Sequence, residues 1–349
     1  MFDFKKKITG MLSVMLLLLA LIMSSMPVLA EDTAKRVYVR IESCVAGKNE
    51  TLLPRTKVMV ENFDMLEFGA AENPEHATAL QALIAAVGKD NVEFGYGQYG
   101  VFITSILGTE DDGACSWMYA TANDVSPWVG SDAYFIEDGY EIVFYFISWE
   151  DTSYSWFDKT NITVKTGENV NLTLSAQNFN DGIFAVEGAA VSISGGEDEF
   201  GEIATDEAGA ASIKFENAGQ YIVSAEKKND NGSFAISRPS TLVNVVAAED
   251  YLLTCGSAGV GMAIGGLEIN YDVPAAKVGG TLLFPLRAVA ESLGAEVSWD
   301  SAAQAAKIVF AGEAIVLPAS GDTTIVNGRI LVPAEYIEAN FGLGVRIGE

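Results

Sequence analysis

Alternation of apolar and polar positions dominates this chain, and its texture changes twice. Val37, Val39 and Ile41 alternate with Tyr38, Arg40 and Glu42, the period of two expected of a half-buried strand. A short strand at 58–60 is expected to pair with it. Helical period enters at Leu80, Leu83, Ile84 and Val87, with Gly88 as the stop and Asn73-Pro74 as the expected capped start. Stretches of strand composition follow at 101–107, 117–120, 134–136 and 141–147, separated by Gly, Asp and Pro. Strands, one helix and further strands predict a small α+β domain over residues 31–159, with one sheet covered by one helix.

Over residues 160–248 helical period is absent, and short β-type runs recur at 170–176, 191–194, 210–215, 221–225 and 241–246. Asp181-Gly182, Gly195-Gly196, Ala208-Gly209, Ala218-Gly219 and Asn231-Gly232 punctuate them. Regular strand spacing of this kind predicts an immunoglobulin-like β-sandwich. Residues 249–349 carry an internal repeat: the segment from Gly279 matches the segment from Asn327 at a constant offset of 48 positions. Pro285 falls on Pro333, Val289 on Ile337, Leu293 on Phe341, Gly294 on Gly342 and Val297 on Val345. Each copy reads as a strand, a proline at a helix start, about two helical turns, a glycine stop and a second strand. Two such copies predict a compact duplicated α+β module, and the whole chain reads as multidomain and mainly β.

The N-terminus changes the picture of where the chain works. Lys5, Lys6 and Lys7 precede an apolar run over 11–23, and Val28-Leu29-Ala30 stands before Glu31-Asp32. That order is expected of a signal peptide over residues 1–30, cleaved after Ala30. The apolar run is shorter than the ~20 residues of a membrane span, and no second long apolar stretch follows. The mature chain is therefore expected to be secreted or associated with the cell surface. Formal charge is −26; the leader holds three lysines and one aspartate, so its removal takes the balance to −28. With no basic stripe to displace counterions, nucleic acid is excluded as a partner. Of the cysteines, Cys44 and Cys115 lie in one predicted domain, so a single bridge between them and independent free thiols both fit.

Two stretches resemble known families. GVFITSILG (residues 100–108), SWMYATAND (116–124) and YFIEDGYEIVFYF (134–146) resemble the bacterial domain of unknown function related to the C-terminal domain of transcobalamin and intrinsic factor. That resemblance implies a ligand-binding head and points towards cobalamin or another corrinoid as ligand. LLFPLRAVAESLGAEVSWD (282–300) and ILVPAEYIEANFG (330–342) resemble the copper amine oxidase N-terminal-like domain of secreted Gram-positive proteins. It is separate from the catalytic copper domain, and the resemblance implies an envelope-associated module.

Catalytic chemistry finds few candidates. Metal or triad catalysis draws on imidazole, and the chain holds one histidine, His76, in the first turn expected of its helix. Gly95, Gly97 and Gly100 lack the Gly-Lys-Ser/Thr of a phosphate loop and suit tight turns. Glu110-Asp111-Asp112 and Glu197-Asp198-Glu199 are the densest acid clusters; they sit in turn-rich stretches without a cleft to raise one pKa, and without the alternating spacing of a calcium loop. No catalytic or metal residue is assigned. The aromatics are the better lead: Tyr96, Tyr99, Phe102, Trp117, Tyr119 and Trp128 form the candidate ligand face, suited to a flat ligand or a sugar. Trp117 and Phe102 lie in predicted strands, where core packing competes with binding. Trp149, Tyr154, Trp156 and Phe157 read mainly as packing between domains. The expected function is a non-catalytic ligand-binding surface protein, its partner a small molecule or a cell-wall component; the alternative is a structural or adhesive surface protein that binds proteins or glycans.

Overall fold

A computed structural model describes residues 34–45, 48–68, 70, 73–97, 100–121, 124–178, 182–319 and 323–348. The expected leader, Tyr99 and Asp181 lie outside the described residues.

In the first module the strands are β1 (Lys35–Val45), β2 (Lys48–Val60), β3 (Val92–Gly97), β4 (Gly100–Ile106), β5 (Thr109–Glu110), β6 (Cys115–Thr121) and β7 (Glu141–Ser148), with helix α1 (Ala79–Val87) between β2 and β3. One sheet runs in the order β2-β1-β7-β6, and β3, β4 and β5 form a second. β1 pairs antiparallel with β2 and parallel with β7. Leu80, Leu83 and Ile84 of α1 share a core with Val37, Val39, Ile41, Ile142 and Phe144, so the helix covers one face of the main sheet.

Three sequence expectations change here. Helix α1 begins at Ala79 rather than at Asn73-Pro74, because Thr78 and Gln81 form a reciprocal capping box. Asn73 instead accepts from the Met65 amide at 2.6 Å. Residues 134–136 do not form a strand; Phe135 makes a single bridge to Thr78. β1 is buried on both faces, from Val37 through Cys44, although its alternation predicts one wet face. The reason is that the other two modules cover the polar side. Arg40 and Glu42 are buried there as a pair, 2.7 Å apart. Glu42 also accepts from Thr51 at 2.8 Å, and Arg40 donates to the Arg238 carbonyl at 3.1 Å.

The second module comprises β8 (Tyr154–Phe157), β9 (Asn161–Lys165), β10 (Asn169–Asn178), β11 (Gly182–Ala185), β12 (Ala190–Gly195), β13 (Ile203–Ala204), β14 (Ala210–Lys214), β15 (Gly219–Glu226) and β16 (Ser240–Val246). One sheet is β11-β10-β14 with β8 also on β10; the other is β13-β12-β15-β16-β9. Inward-facing Leu172, Leu174, Phe215, Tyr221 and Val223 fill the space between them, as in a sandwich. Tyr221 donates its hydroxyl to the Asn217 carbonyl four residues upstream at 2.9 Å, which ties the turn into β15 to that core. β8 belongs to this sandwich by pairing, although it precedes position 160.

The third module comprises β17 (Leu252–Cys255), β18 (Ala263–Ile264), β19 (Leu267–Glu268), β20 (Ala276–Val278), β21 (Thr281–Pro285), α2 (Leu286–Glu291), β22 (Glu296–Asp300), β23 (Ala305–Phe310), β24 (Glu313–Pro318), β25 (Thr324–Val326), β26 (Arg329–Pro333), α3 (Ala334–Phe341) and β27 (Gly344–Ile347). β21, α2 and β22 recur as β26, α3 and β27, and Pro285 and Pro333 are the N-caps. β21 and β26 pair antiparallel with Phe284 opposite Val332. Those two positions are also equivalent in the repeat, so a local twofold axis passes between the copies. Phe284, Val289, Val332, Ile337 and Phe341 meet in one core.

Cations on β1 and β2 tie the first module to the third. Arg36 lies 3.6 Å over the Tyr271 ring, and Arg55 donates to Glu141 at 2.7 Å and to Asn270 at 2.5 Å. Lys57 meets Glu268 at 2.7 Å. The cysteines are free. Cys44 pairs with Ile147 on one side of β7 and Cys115 with Ser148 on the other, which sets them two strand spacings apart, about 10 Å. That is beyond the ~7 Å Cα limit of a disulfide.

Candidate functional site

Of the described aromatic residues singled out in the sequence, Trp128 is the most exposed, at 90%. The loop that carries it is fixed on both sides. Thr121 and Asp124 exchange backbone hydrogen bonds at 2.8 and 3.2 Å, and Ser126 donates to the Asp124 carboxylate at 3.1 Å. Beyond Trp128, the Val129 carbonyl accepts the Tyr119 hydroxyl at 2.7 Å. A large apolar ring is thus held out in water by a backbone with little freedom to fold it inward, at a cost in hydration that packing does not recover here.

Trp128 overhangs a cleft of about 220 Å³ between the first and second modules. Tyr119 and Tyr145 reach it from β6 and β7, Trp149 to Tyr154 from the turn into β8, and Gln177 and Asn178 from β10. Tyr145 and Tyr154 stack at 4.6 Å, and Tyr154 continues the stack onto Trp156 at 5.6 Å. Burial pushes the Tyr154 hydroxyl up to about 12 and the Tyr119 and Tyr145 hydroxyls up as well. All three are neutral donors at ordinary pH. Trp149 is 46% exposed at the rim.

The other sequence candidates separate. Trp117 is 6% exposed, donates its indole N–H to the Thr109 carbonyl at 2.9 Å and packs on Phe146 at 5.1 Å. It belongs to the core beneath the sheet. Tyr96 and Phe102 lie on the β3–β4 hairpin and do not line the cleft. Phe102 covers Gly95, where an added Cβ would stand 2.6 Å from its ring, so the glycine is a seat for a cross-strand aromatic. The structure therefore brings Tyr119 and Trp128 together and leaves Tyr96, Phe102 and Trp117 elsewhere. Tyr145, Trp149, Tyr154, Gln177 and Asn178 complete the cleft. Only the juxtaposition of β7, β8 and β10, two of which belong to another module, would have gathered them.

A larger cleft of about 930 Å³ lies where the three modules meet. Its cations are matched within it: Lys159 with Asp158, Arg287 with Glu291 at 3.0 Å, and Arg329 with Asp272 at 2.6 Å. Glu141 there is already held by Arg55 and by Asn270 at 2.7 Å each. The dense acid clusters close turns. Asp112 accepts from the Ala114 and Cys115 amides at 3.0 and 2.7 Å, and Asp198 from the Glu216 amide at 2.8 Å. His76 lies edge-on to Phe135 at 5.2 Å. Among the described residues no group of three or more His, Cys, Asp or Glu is placed to hold a metal ion, and no helix is long and apolar enough to cross a membrane.

Fold and cleft together define a mainly β chain of stacked modules with an aromatic cleft at a module boundary. Residues 76–148 match the family model of the Domain of unknown function (DUF4430), and residues 263–349 match that of the Copper amine oxidase N-terminal domain. Both are the families that the sequence resembles, and the second is the non-catalytic domain of its namesake. Among solved structures, a candidate metal-binding protein from Ruminococcus gnavus is 16% identical, with 33% of this chain and 97% of that one covered and a TM-score of 0.23. Domains 4 and 5 of the S-layer protein SbsC are 12% identical over 44% of this chain and 90% of that one, with a TM-score of 0.20. Domains 4–9 of SbsC are 10% identical over 90% and 48%, with a TM-score of 0.19. Likeness of this degree carries no functional argument. No curated protein matches the chain.

Proposed function

We propose that this chain is an exported, non-catalytic protein of the cell surface that binds a small ligand at the cleft under Trp128, with the third module as its envelope-associated end. Trp128 itself carries the reading: a 90% exposed indole on a pinned loop beside an aromatic cleft is a ready stacking platform. Export is supported by the order of lysines, apolar run and Val28-Leu29-Ala30 in the leader. Tyr119 lies in the cleft with Trp128, whereas Tyr96 and Phe102 are a separate exposed pair on the hairpin. A cleft of about 220 Å³ is smaller than the ~300–1,000 Å³ that encloses a drug-sized ligand. A corrinoid would therefore be gripped by an edge or side group and not engulfed.

Titrating the whole protein with cobinamide, cobalamin and N-acetylglucosamine oligomers, with tryptophan fluorescence as the readout, tests this. A ligand that quenches the wild type and leaves Trp128→Ala unchanged supports the site; quenching that persists in Trp128→Ala removes it. A second reading, a rigid structural or adhesive protein, is favoured by the buried Arg40–Glu42 pair and by the Arg55–Asn270 bond between modules. It predicts sedimentation with isolated cell walls and no small-molecule effect on fluorescence.

A further inference from the structure

We propose that the occupant of the Trp128 cleft is a small organic cation, a quaternary or methylated ammonium group held on aromatic faces; this rests on the reading of that cleft as the ligand site. The charge of its lining is one-sided. Glu150 and Asp151 line it, and among the described residues no lysine, arginine or histidine does. The Asp151 carboxylate receives a long bond, 3.4 Å from the Asn231 side-chain amide, while its backbone carbonyl accepts from Asn229 at 3.1 Å. Gln177 adds a buried Oε1 that accepts no hydrogen bond. Two of the donors nearby are committed: Tyr119 to the Val129 carbonyl at 2.7 Å and Thr152 to the Phe234 carbonyl at 2.8 Å. Arg40, the guanidinium that acts on Tyr154, is neutralised by Glu42 at 2.7 Å.

What remains is a surplus of acceptors and negative charge beside indole and phenol rings. An anion would meet two carboxylates and, among the described residues, no lysine, arginine or histidine. A hydroxyl-rich neutral ring would draw nothing from that charge. A methylated ammonium draws on both features: its charge spreads over methyl groups that pack on ring faces while the carboxylates neutralise it at a distance. Its size suits the cleft of about 220 Å³.

The test compares choline with its uncharged isostere, 3,3-dimethylbutan-1-ol, on the full chain. Tryptophan fluorescence and calorimetric heat are followed, with sodium chloride matching ionic strength. Choline is expected to bind at least about ten-fold more tightly than the alcohol. Trp128→Ala and the pair Glu150→Gln with Asp151→Asn are each expected to weaken it about ten-fold without moving the melting temperature, because Trp128 and Glu150 are solvent-exposed. Equal binding of the two compounds, or undiminished binding by both variants, overturns the assignment. If cobinamide or an N-acetylglucosamine oligomer binds in a Trp128-dependent way and choline does not, the ligand site stands and the ammonium occupant falls. If none of these probes responds to Trp128, both fall.

Discussion

At the scale of single residues, chemistry follows burial more closely than composition. Cys44 lies at 0% exposure against the second module, its sulfur accepting the Arg238 amide at 3.0 Å, and burial pushes its thiol up to about 12. At pH 8 only about one Cys44 in ten thousand is then the reactive thiolate. Cys115 is half-buried, and Cys255 is buried. Ellman's reagent on native protein should therefore modify Cys115 first and leave Cys44 and Cys255 until denaturant is added. A protein in which Cys44 and Cys115 are both protected, and released together by reductant, would contradict the free thiols. The sequence left this point open because two cysteines in one domain say nothing about which strand lies between them. In the sequence Trp128 and Tyr119 stood among six aromatics read as one candidate face, with nothing to separate them from Tyr96, Phe102 and Trp117. The approach of Trp149, Tyr154 and Gln177 was not legible, because it depends on β8 leaving the first module to pair with β10.

Elements were most legible where a local signal had no competitor. The 48-residue repeat transferred directly: prolines cap α2 and α3, and Gly294 and Gly342 follow them with φ of 83° and 60°. Helix α1 was expected to start at Asn73-Pro74 but is capped by Thr78 with Gln81 three residues on. That cap prevails because it satisfies more groups. Gln81 accepts from the Thr78 amide at 3.0 Å and donates to Asn62 at 3.0 Å and to the Phe63 carbonyl at 2.8 Å. One side chain thereby caps the helix and ties it to the segment after β2. Thr78→Ala should lower stability by about 1 kcal/mol, the usual worth of an N-cap. Gln81→Ala should cost more, about 1–3 kcal/mol, since it also strands the buried partners it served. Urea denaturation of both variants checks the order, and a smaller loss for Gln81→Ala would show that the contacts to Asn62 and Phe63 are dispensable.

For the whole molecule, the alternation of β1 misled for a physical reason: polar residues at Tyr38, Arg40 and Glu42 were chosen to meet other modules and not water. Removing one partner of the buried Arg40–Glu42 pair strands the other charge, so Glu42→Ala should destabilise by about 3–5 kcal/mol, whereas Arg40→Met with Glu42→Leu should be far milder. The same interface gives the protein an alkaline limit. Cys44, Tyr145 and Tyr154 share one small core against the polar face of β1, and burial pushes Cys44 and Tyr154 up to about 12 and Tyr145 up also. Unfolded, the same groups ionise near 9.0 and 10.0. A raised folded pKa means the native state still holds a proton that the unfolded chain has released. The stabilisation is therefore whole below pH 9 and drains away as pH climbs from about 9 towards about 12. Melting temperature should hold level through neutral pH and fall above pH 9, with Tyr145→Phe and Tyr154→Phe each making the fall shallower. Were the alkaline decline to keep its slope in both variants, the loss would have to come from Cys44 or from general charge repulsion in a chain of net charge −26, and salt would relieve only the repulsion.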